Sequence, residues 1–169
     1  IIQKWNRKTD INSQGAGVYG VLYYQLVSNY RSEILENDNT VSKETLLSAL
    51  SDIKSYLTDN FGSINITLGD FQKLVRGDIE IPIWGLPDVI TAMSSRPYKD
   101  GRRKVTQGES YIGLIRFNDK GPTIESIISF GNSDNPDSEH YTDQMELYSK
   151  FKTKRMTFDK QEIYSKAKS

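Results

Sequence analysis

Residues Gly108 to Phe151, GESYIGLIRFNDKGPTIESIISFGNSDNPDSEHYTDQMELYSKF, carry the strongest secondary-structure signal in the chain. Tyr111, Gly113, Ile115 and Phe117 alternate with Ile112, Leu114 and Arg116, the two-residue period of a strand. Asn118-Asp119-Lys120-Gly121 has turn chemistry, and Ile124, Ile127, Ile128 and Phe130 build a returning strand. Both faces of this hairpin are largely apolar, which predicts a central piece of a larger sheet with cover on each side. Gly131 to Ser138 is nearly all Gly, Asn, Ser, Asp and Pro, a loop composition. Met145, Leu147, Tyr148 and Phe151 then fall on a helical repeat over 142–151.

Upstream, Val18, Val21, Leu22, Leu26 and Tyr30 recur at spacings of three and four, so a helix is expected from Asn12 to about Ile34. Gly15, Gly17 and Gly20 weaken that helix unless something packs closely on them, and they predict a tight helix–helix or helix–sheet contact. A phosphate-binding loop would need a preceding strand, which is missing here. Ser42 reads as the N-cap of a second helix, with Glu44 in its positive first turn and Gly62 as a left-handed C-terminal cap. Leu46, Leu47, Leu50, Ile53 and Leu57 are its expected buried stripe, packed against the first helix.

Asp70 reads as the cap of a short helix through Phe71, Leu74 and Val75. Pro82 and Pro87 forbid a central strand over IEIPIWGLPDVITAM and predict an extended loop followed by a helical turn. Tyr98 to Gly101 reads as a turn. Asp159-Lys160-Gln161-Glu162 has the form of a capping box that starts a final helical turn. Helices followed by an antiparallel hairpin make the fold class α+β, in one segment over 1–169 without repeats or a domain boundary.

Lys+Arg and Asp+Glu are both 22, giving zero net charge, so the basic surplus of a nucleic-acid binder is absent. No apolar run approaches the ~20 residues of a membrane span. The absence of cysteine excludes disulfides, thiolate catalysis and thiolate metal sites. The opening IIQKWNRKTD has no initiator Met and no signal pattern, as expected of a processed product or an excised piece.

The single histidine, His140, lies three residues before Asp143. A Ser-His-Asp reading could use both, but at a helix start each is better suited to local hydrogen bonding. Asp134, Asp137 and Glu139 could ligate calcium through oxygen, yet they lack the EF-hand glycine and terminal Glu. Asp78 and Asp88 read as turn or cap residues, and Trp5 and Trp84 as packing anchors. No nucleophile, base and oxyanion donor come together in the sequence, and no cofactor or metal ligand set is expected.

Several blocks, in order, resemble the penicillin acylase family, which includes acyl-homoserine lactone and cephalosporin acylases. Trp5 with Gly15–Gly20 looks like the family's "W…G" helix. Phe61-Gly62, Leu68-Gly69-Asp70 and Leu74-Val75-Arg76-Gly77-Asp78 are similar to FG…WG(D)…L-R-R-G-D. Pro82, Gly85, Pro87 and Asp88 resemble the following P…G-G-P-D block, and Gly108 to Phe117, with Ser110 and Tyr111, the G-x-S-Y strand. Gly131-Asn132-Ser133 followed by His140-Tyr141-x-Asp143-Gln144 resembles G-Q/N-S…S-P-H-Y-x-D-Q, and Phe158 to Ile163 the closing T-x-x-E-I turn. Leu68, Trp84 and Glu139 depart from the usual Trp, Gly and Pro.

The resemblance implies the C-terminal part of the large chain of an N-terminal-nucleophile hydrolase with an α-β-β-α sandwich. It implies that the nucleophile lies outside this chain, so that no catalytic residue transfers. The partners implied are the small chain and the rest of the large chain, with an N-acyl amide as the parent's substrate, no nucleic acid and no membrane. A bacterial periplasmic location is implied as well. Asp78, Pro87, Asp88, Ser110, Tyr111, Gly131, His140, Asp143 and Gln144 would then be structural motif residues. The alternative is a free-standing domain that binds a partner through an exposed sheet edge.

Overall fold

A computed structural model describes residues 1–167 and has mixed helices and strands, an α+β fold. The chain forms two compact units, one of residues 1–75 and 82–108, the other of 76–81 and 109–169.

In the first unit, helix α1 (Gln14–Asn29) is capped by Ser13, whose hydroxyl accepts from Ala16 N–H at 3.1 Å. The expected helix thus begins two residues later than the pattern suggests and breaks at Tyr30 before the short α2 (Arg31–Glu36). The glycines do mark close packing. A Cβ on Gly15 would lie 2.3 Å from the Trp5 ring, and one on Gly17 would lie 2.6 Å from the Thr67 carbonyl carbon.

Helix α3 (Lys43–Phe61) has the caps read from the sequence. Ser42 accepts from Thr45 N–H, and Gly62 sits at φ 67°. Of the stripe expected to be buried, Ile53 and Leu57 are buried together with Thr45 and Ala49, whereas Leu46, Leu47 and Leu50 are exposed. The buried residues are spaced by four, one ridge of the helix, and Ala49 is fully buried within the core shared with α1. The i±4 row through Thr45 and Ala49 brings α3 close at its N-terminal half, where small side chains replace the expected leucines. Leu46 and Leu50 instead line an open apolar groove with Ile1, Ile2, Val18 and Ile64.

The helix expected through Val75 ends at Phe71. Helix α4 (Leu68–Phe71) is capped by Thr67, not Asp70, and Asp70 returns the bond as the N3 partner of a capping box. Strand β1 (Gln72–Arg76) follows at once and runs parallel to β4 (Arg103–Gly108). The region of the two prolines holds β2 (Ile79–Pro82), an edge strand that ends on its proline. No helical turn follows it; Leu86 bridges Ala92 around a turn at Pro87 and Asp88. Strand β3 (Met93–Pro97) then pairs with β4, with a register shift between Ser94 and Ser95, so that β4 lies between β1 and β3. Tyr98 N–H and the Arg102 carbonyl close the expected turn at 2.8 Å.

The second unit contains the hairpin of β5 (Tyr111–Asn118) and β6 (Gly121–Ile128), in register from Tyr111 opposite Ile128 to Asn118 opposite Gly121. Lys120 N–H bonds Asn118 Oδ1 at 2.9 Å in the turn, and Gly121 takes φ 104°. Among the described residues the hairpin is not covered on both faces. The order is β5-β6-β7, with β7 at Lys154–Met156, so β5 is an edge strand. Leu114 and Ile115 are more than half exposed and Phe117 is 81% exposed. Helix α5 (Met145–Ser149) buries Met145 and Tyr148 beside β6 and is shorter than its pattern. Helix α6 (Lys160–Lys166) is capped by Asp159, which accepts from Glu162 N–H at 2.9 Å.

Candidate functional site

The motif residues of the second unit gather around one loop. Its base is Gln144, whose main-chain N–H donates to the Phe130 carbonyl at 2.9 Å and whose side-chain oxygen accepts from Ile128 N–H at 3.2 Å. Gln144 therefore continues the hydrogen bonding of the sheet beyond the end of β6. Its side chain is buried, which strengthens bonds of this kind.

Gly131 allows the loop to close on itself. The His140 carbonyl oxygen would lie 2.1 Å from a Cβ at this position, and Asp143 Oδ1 2.7 Å from it. The same carbonyl accepts from Ser133 N–H at 3.2 Å. The His140 ring is exposed; Nδ1 lies 2.9 Å from Asp143 Oδ2 and Nε2 lies 3.8 Å from Glu139 Oε1. Ser138 Oγ bonds the His140 main-chain N–H, not the ring. His140 and Asp143 are thus a loop-fixing pair, and no serine hydroxyl is bonded to the imidazole among the described residues. Nor do the described residues contain a group of three or more His, Cys, Asp or Glu side chains suited to a metal ion.

Arg76, at the end of β1, ties the loop down. One Nη2 donates to the Ser133 carbonyl at 2.9 Å and approaches Asp134 Oδ1 at 3.3 Å. The guanidinium lies 4.1 Å from the Tyr141 ring centre and 5.2 Å from that of Phe130. The sequence gives Arg76 no such role, because its partners are 54 to 65 positions away and no local pattern joins them.

The other motif residues lie apart from this loop. Asp78 is exposed in the turn between β1 and β2, and Gly77 beside it has φ 57°. Ser110 is exposed just ahead of β5, and the Tyr111 hydroxyl lies 4.0 Å from Met156 Sδ. Tyr148 donates its hydroxyl to the Glu109 carbonyl at 2.8 Å, and burial pushes its pKa up to about 12. In the first unit, Pro87 and Asp88 form the turn after Leu86, with Asp88 at φ 58°. Asp88 adds to the desolvation that raises the Tyr23 pKa.

A single glycine, a histidine carbonyl and a sheet-extending glutamine hold this loop together. The family model described as Penicillin amidase matches residues 1–165. The chain belongs to the penicillin amidase family. Among curated relatives, the acyl-homoserine lactone acylase PvdQ of Pseudomonas syringae pv. syringae (strain B728a) is 37% identical over 98 residues. The protein of the same name from Pseudomonas fluorescens (strain Pf0-1) is 35% identical over 98 residues. Each match covers 56% of this chain and 13% of the relative, so the matched stretch spans about an eighth of those proteins. A solved structure, a thermostable penicillin G acylase from Alcaligenes faecalis, is 19% identical at a TM-score of 0.35 and covers 93% of this chain and 28% of its own. In this member of the penicillin amidase family, Gly131, His140, Asp143 and Gln144 come together with Arg76, while Pro87 and Asp88 belong to the other unit.

Proposed function

We propose that this chain is a scaffold-forming part of an N-acyl amide hydrolase, the C-terminal stretch of the large chain of an N-terminal-nucleophile enzyme. The observation that carries this reading is the bonding of His140. The one histidine spends its ring on Asp143 and its carbonyl on Ser133, and so serves the loop and not a nucleophile. The modest share of the acylase relatives that is matched supports the same reading. Asp78, Pro87, Asp88, Ser110, Tyr111, Gly131, His140, Asp143 and Gln144 are then structural, and the catalytic groups come from the remainder of the protein.

The parent reaction would be hydrolysis of an acyl-homoserine lactone or a penicillin-like side-chain amide. A terminal hydroxyl, activated by its own amino group, attacks the carbonyl; backbone and side-chain amides stabilise the oxyanion, and an acyl-enzyme follows. The partners are the small chain and the preceding part of the large chain, and the location is the periplasm. The exposed groove beside Leu46 and Leu50 is in keeping with further chain packing on the first unit.

A second reading, a free-standing domain that binds a partner along a sheet edge, draws on the exposed Leu114, Ile115 and Phe117 of β5. Two measurements separate the readings. The purified 169-residue chain should not turn over a chromogenic phenylacetyl or fatty-acyl anilide, and turnover would overturn the scaffold reading. The coding sequence upstream of Ile1 should continue in frame to a Gly-Ser-type cleavage junction and a signal peptide; a start codon beside Ile1 would favour the free-standing domain.

A further inference from the structure

The first unit holds a cation with no counter-charge. The Arg103 guanidinium, at the start of β4, lies 3.5 Å from the centre of the Tyr24 ring of α1. Nε donates to Ser95 Oγ at 3.0 Å, and Nη2 donates to the Ser95 carbonyl. A guanidinium has five N–H groups. Ser95 takes two, which leaves three, and no carboxylate pairs with Arg103 among the described residues. Burial lowers its pKa, the sign of a charge held partly out of water.

The hydroxyls around it are short of acceptors too. Tyr24 Oη accepts from Ser95 N–H at 3.2 Å and lies 3.0 Å from Ser95 Oγ. Ser95 Oγ already accepts from Arg103, so whichever way the two hydroxyls turn, one proton has no acceptor within the cluster. Tyr56 directs its own proton to the Gly101 carbonyl at 2.5 Å. Arg103, Tyr24 and Tyr56 line one cavity of about 210 Å³, with Gln25 and Asn29 also at its wall and Val21 and Phe71 supplying an apolar part.

We propose that this cavity binds a single carboxylate group, held by the free N–H groups of Arg103 and the spare hydroxyl proton of the Tyr24–Ser95 pair. A planar carboxylate matches the fork of a guanidinium. The cavity is smaller than the ~300–1,000 Å³ of a typical small-molecule site, so it suits a short acid or an acidic side chain. This site stands on the first unit alone and does not depend on the acylase reading.

The test adds sodium acetate to the 169-residue chain and follows the Nε–H resonance of Arg103, assigned through its contacts with Tyr24 ring protons. Sodium chloride at matched ionic strength is the control. A saturable shift with acetate alone is expected, and Tyr24→Phe should weaken that affinity about tenfold while keeping the ring under the cation. Equal responses to the two salts, or a response to acetate that does not saturate, would overturn the proposal. Repeating the titration on a chain extended by the coding sequence before Ile1 separates the two sources of the carboxylate. A resonance already at the acetate-saturated position and unmoved by acetate assigns the group to an Asp or Glu of that segment. An undiminished titration assigns it to a free acid.

Discussion

Arg76 and Tyr141 lie 65 positions apart in sequence, yet the guanidinium sits 4.1 Å from the centre of the tyrosine ring. The same side chain bonds the Ser133 carbonyl, so one residue grips the loop at two points. Lysine at this position would keep the charge but lose the planar fork and the stacking. Arg76→Lys is expected to destabilise the chain by about 1–2 kcal/mol, read as a lower denaturant midpoint with an unchanged slope. An unchanged midpoint would show that the contact contributes nothing.

Gly131 and Gly62 should fail for different reasons. A Cβ on Gly131 meets the His140 carbonyl at 2.1 Å, a backbone atom that cannot swing away. Gly62 has open space around it but sits at φ 67°. Gly131→Ala is expected to cost about 3 kcal/mol and Gly62→Ala about 1 kcal/mol, both measured by denaturation. Equal losses would mean that the His140 loop yields easily.

Hydrogen bonds from Lys166 and then Thr157 hold the Glu162 carboxyl down at about 2, below its ordinary 4.5. A depressed carboxylate contributes stability above its unfolded pKa and loses it as pH falls through the folded one. The C-terminal α6 should therefore loosen between about pH 4.5 and pH 2, and less sharply in high salt. A carbon-detected titration of Glu162 checks this, and an ordinary midpoint would refute it.

Tyr148 predicts the opposite limb. Burial raises its pKa from 10.0 to about 12, so the unfolded chain loses this proton first. The stability it supplies is complete below pH 10 and decays between pH 10 and about 12. Tyr148→Phe should flatten that alkaline decline while losing the bond to the Glu109 carbonyl. Ultraviolet absorbance of tyrosinate, followed alongside unfolding, should lose a late-titrating component in the variant.

Features set by a few neighbouring residues were legible in the sequence. Ser42 and Gly62 cap α3 as their chemistry requires, and Asn118 to Gly121 forms the expected hairpin turn. The close packing at Gly15 and Gly17 followed from the helix penalty of glycine alone. Features that depend on distant partners were not. Leu74 and Val75 suit helix or strand alike, and the parallel neighbour β4, whose Arg103 faces Gln72, decides for strand. Strands β3 and β4 are polar and irregular, and pairing holds them where apolar alternation does not reveal them. The apolar hairpin suggested cover that the described residues do not provide, since apolar composition reports a preference for burial and not its source. At the site, the spacing of His140 and Asp143 suffices to foresee their local bond, while the grip of Arg76 on their loop leaves no local trace.

The division of the chain into 1–75 with 82–108 and 76–81 with 109–169 has a consequence for inheritance. The backbone passes between the units three times, and the six-residue excursion carries Arg76. Recombination at residue 108 would move the His140 loop to a new protein while leaving behind the arginine that anchors it. The second unit is compact in space but divided along the gene, so a single crossover cannot transplant it intact.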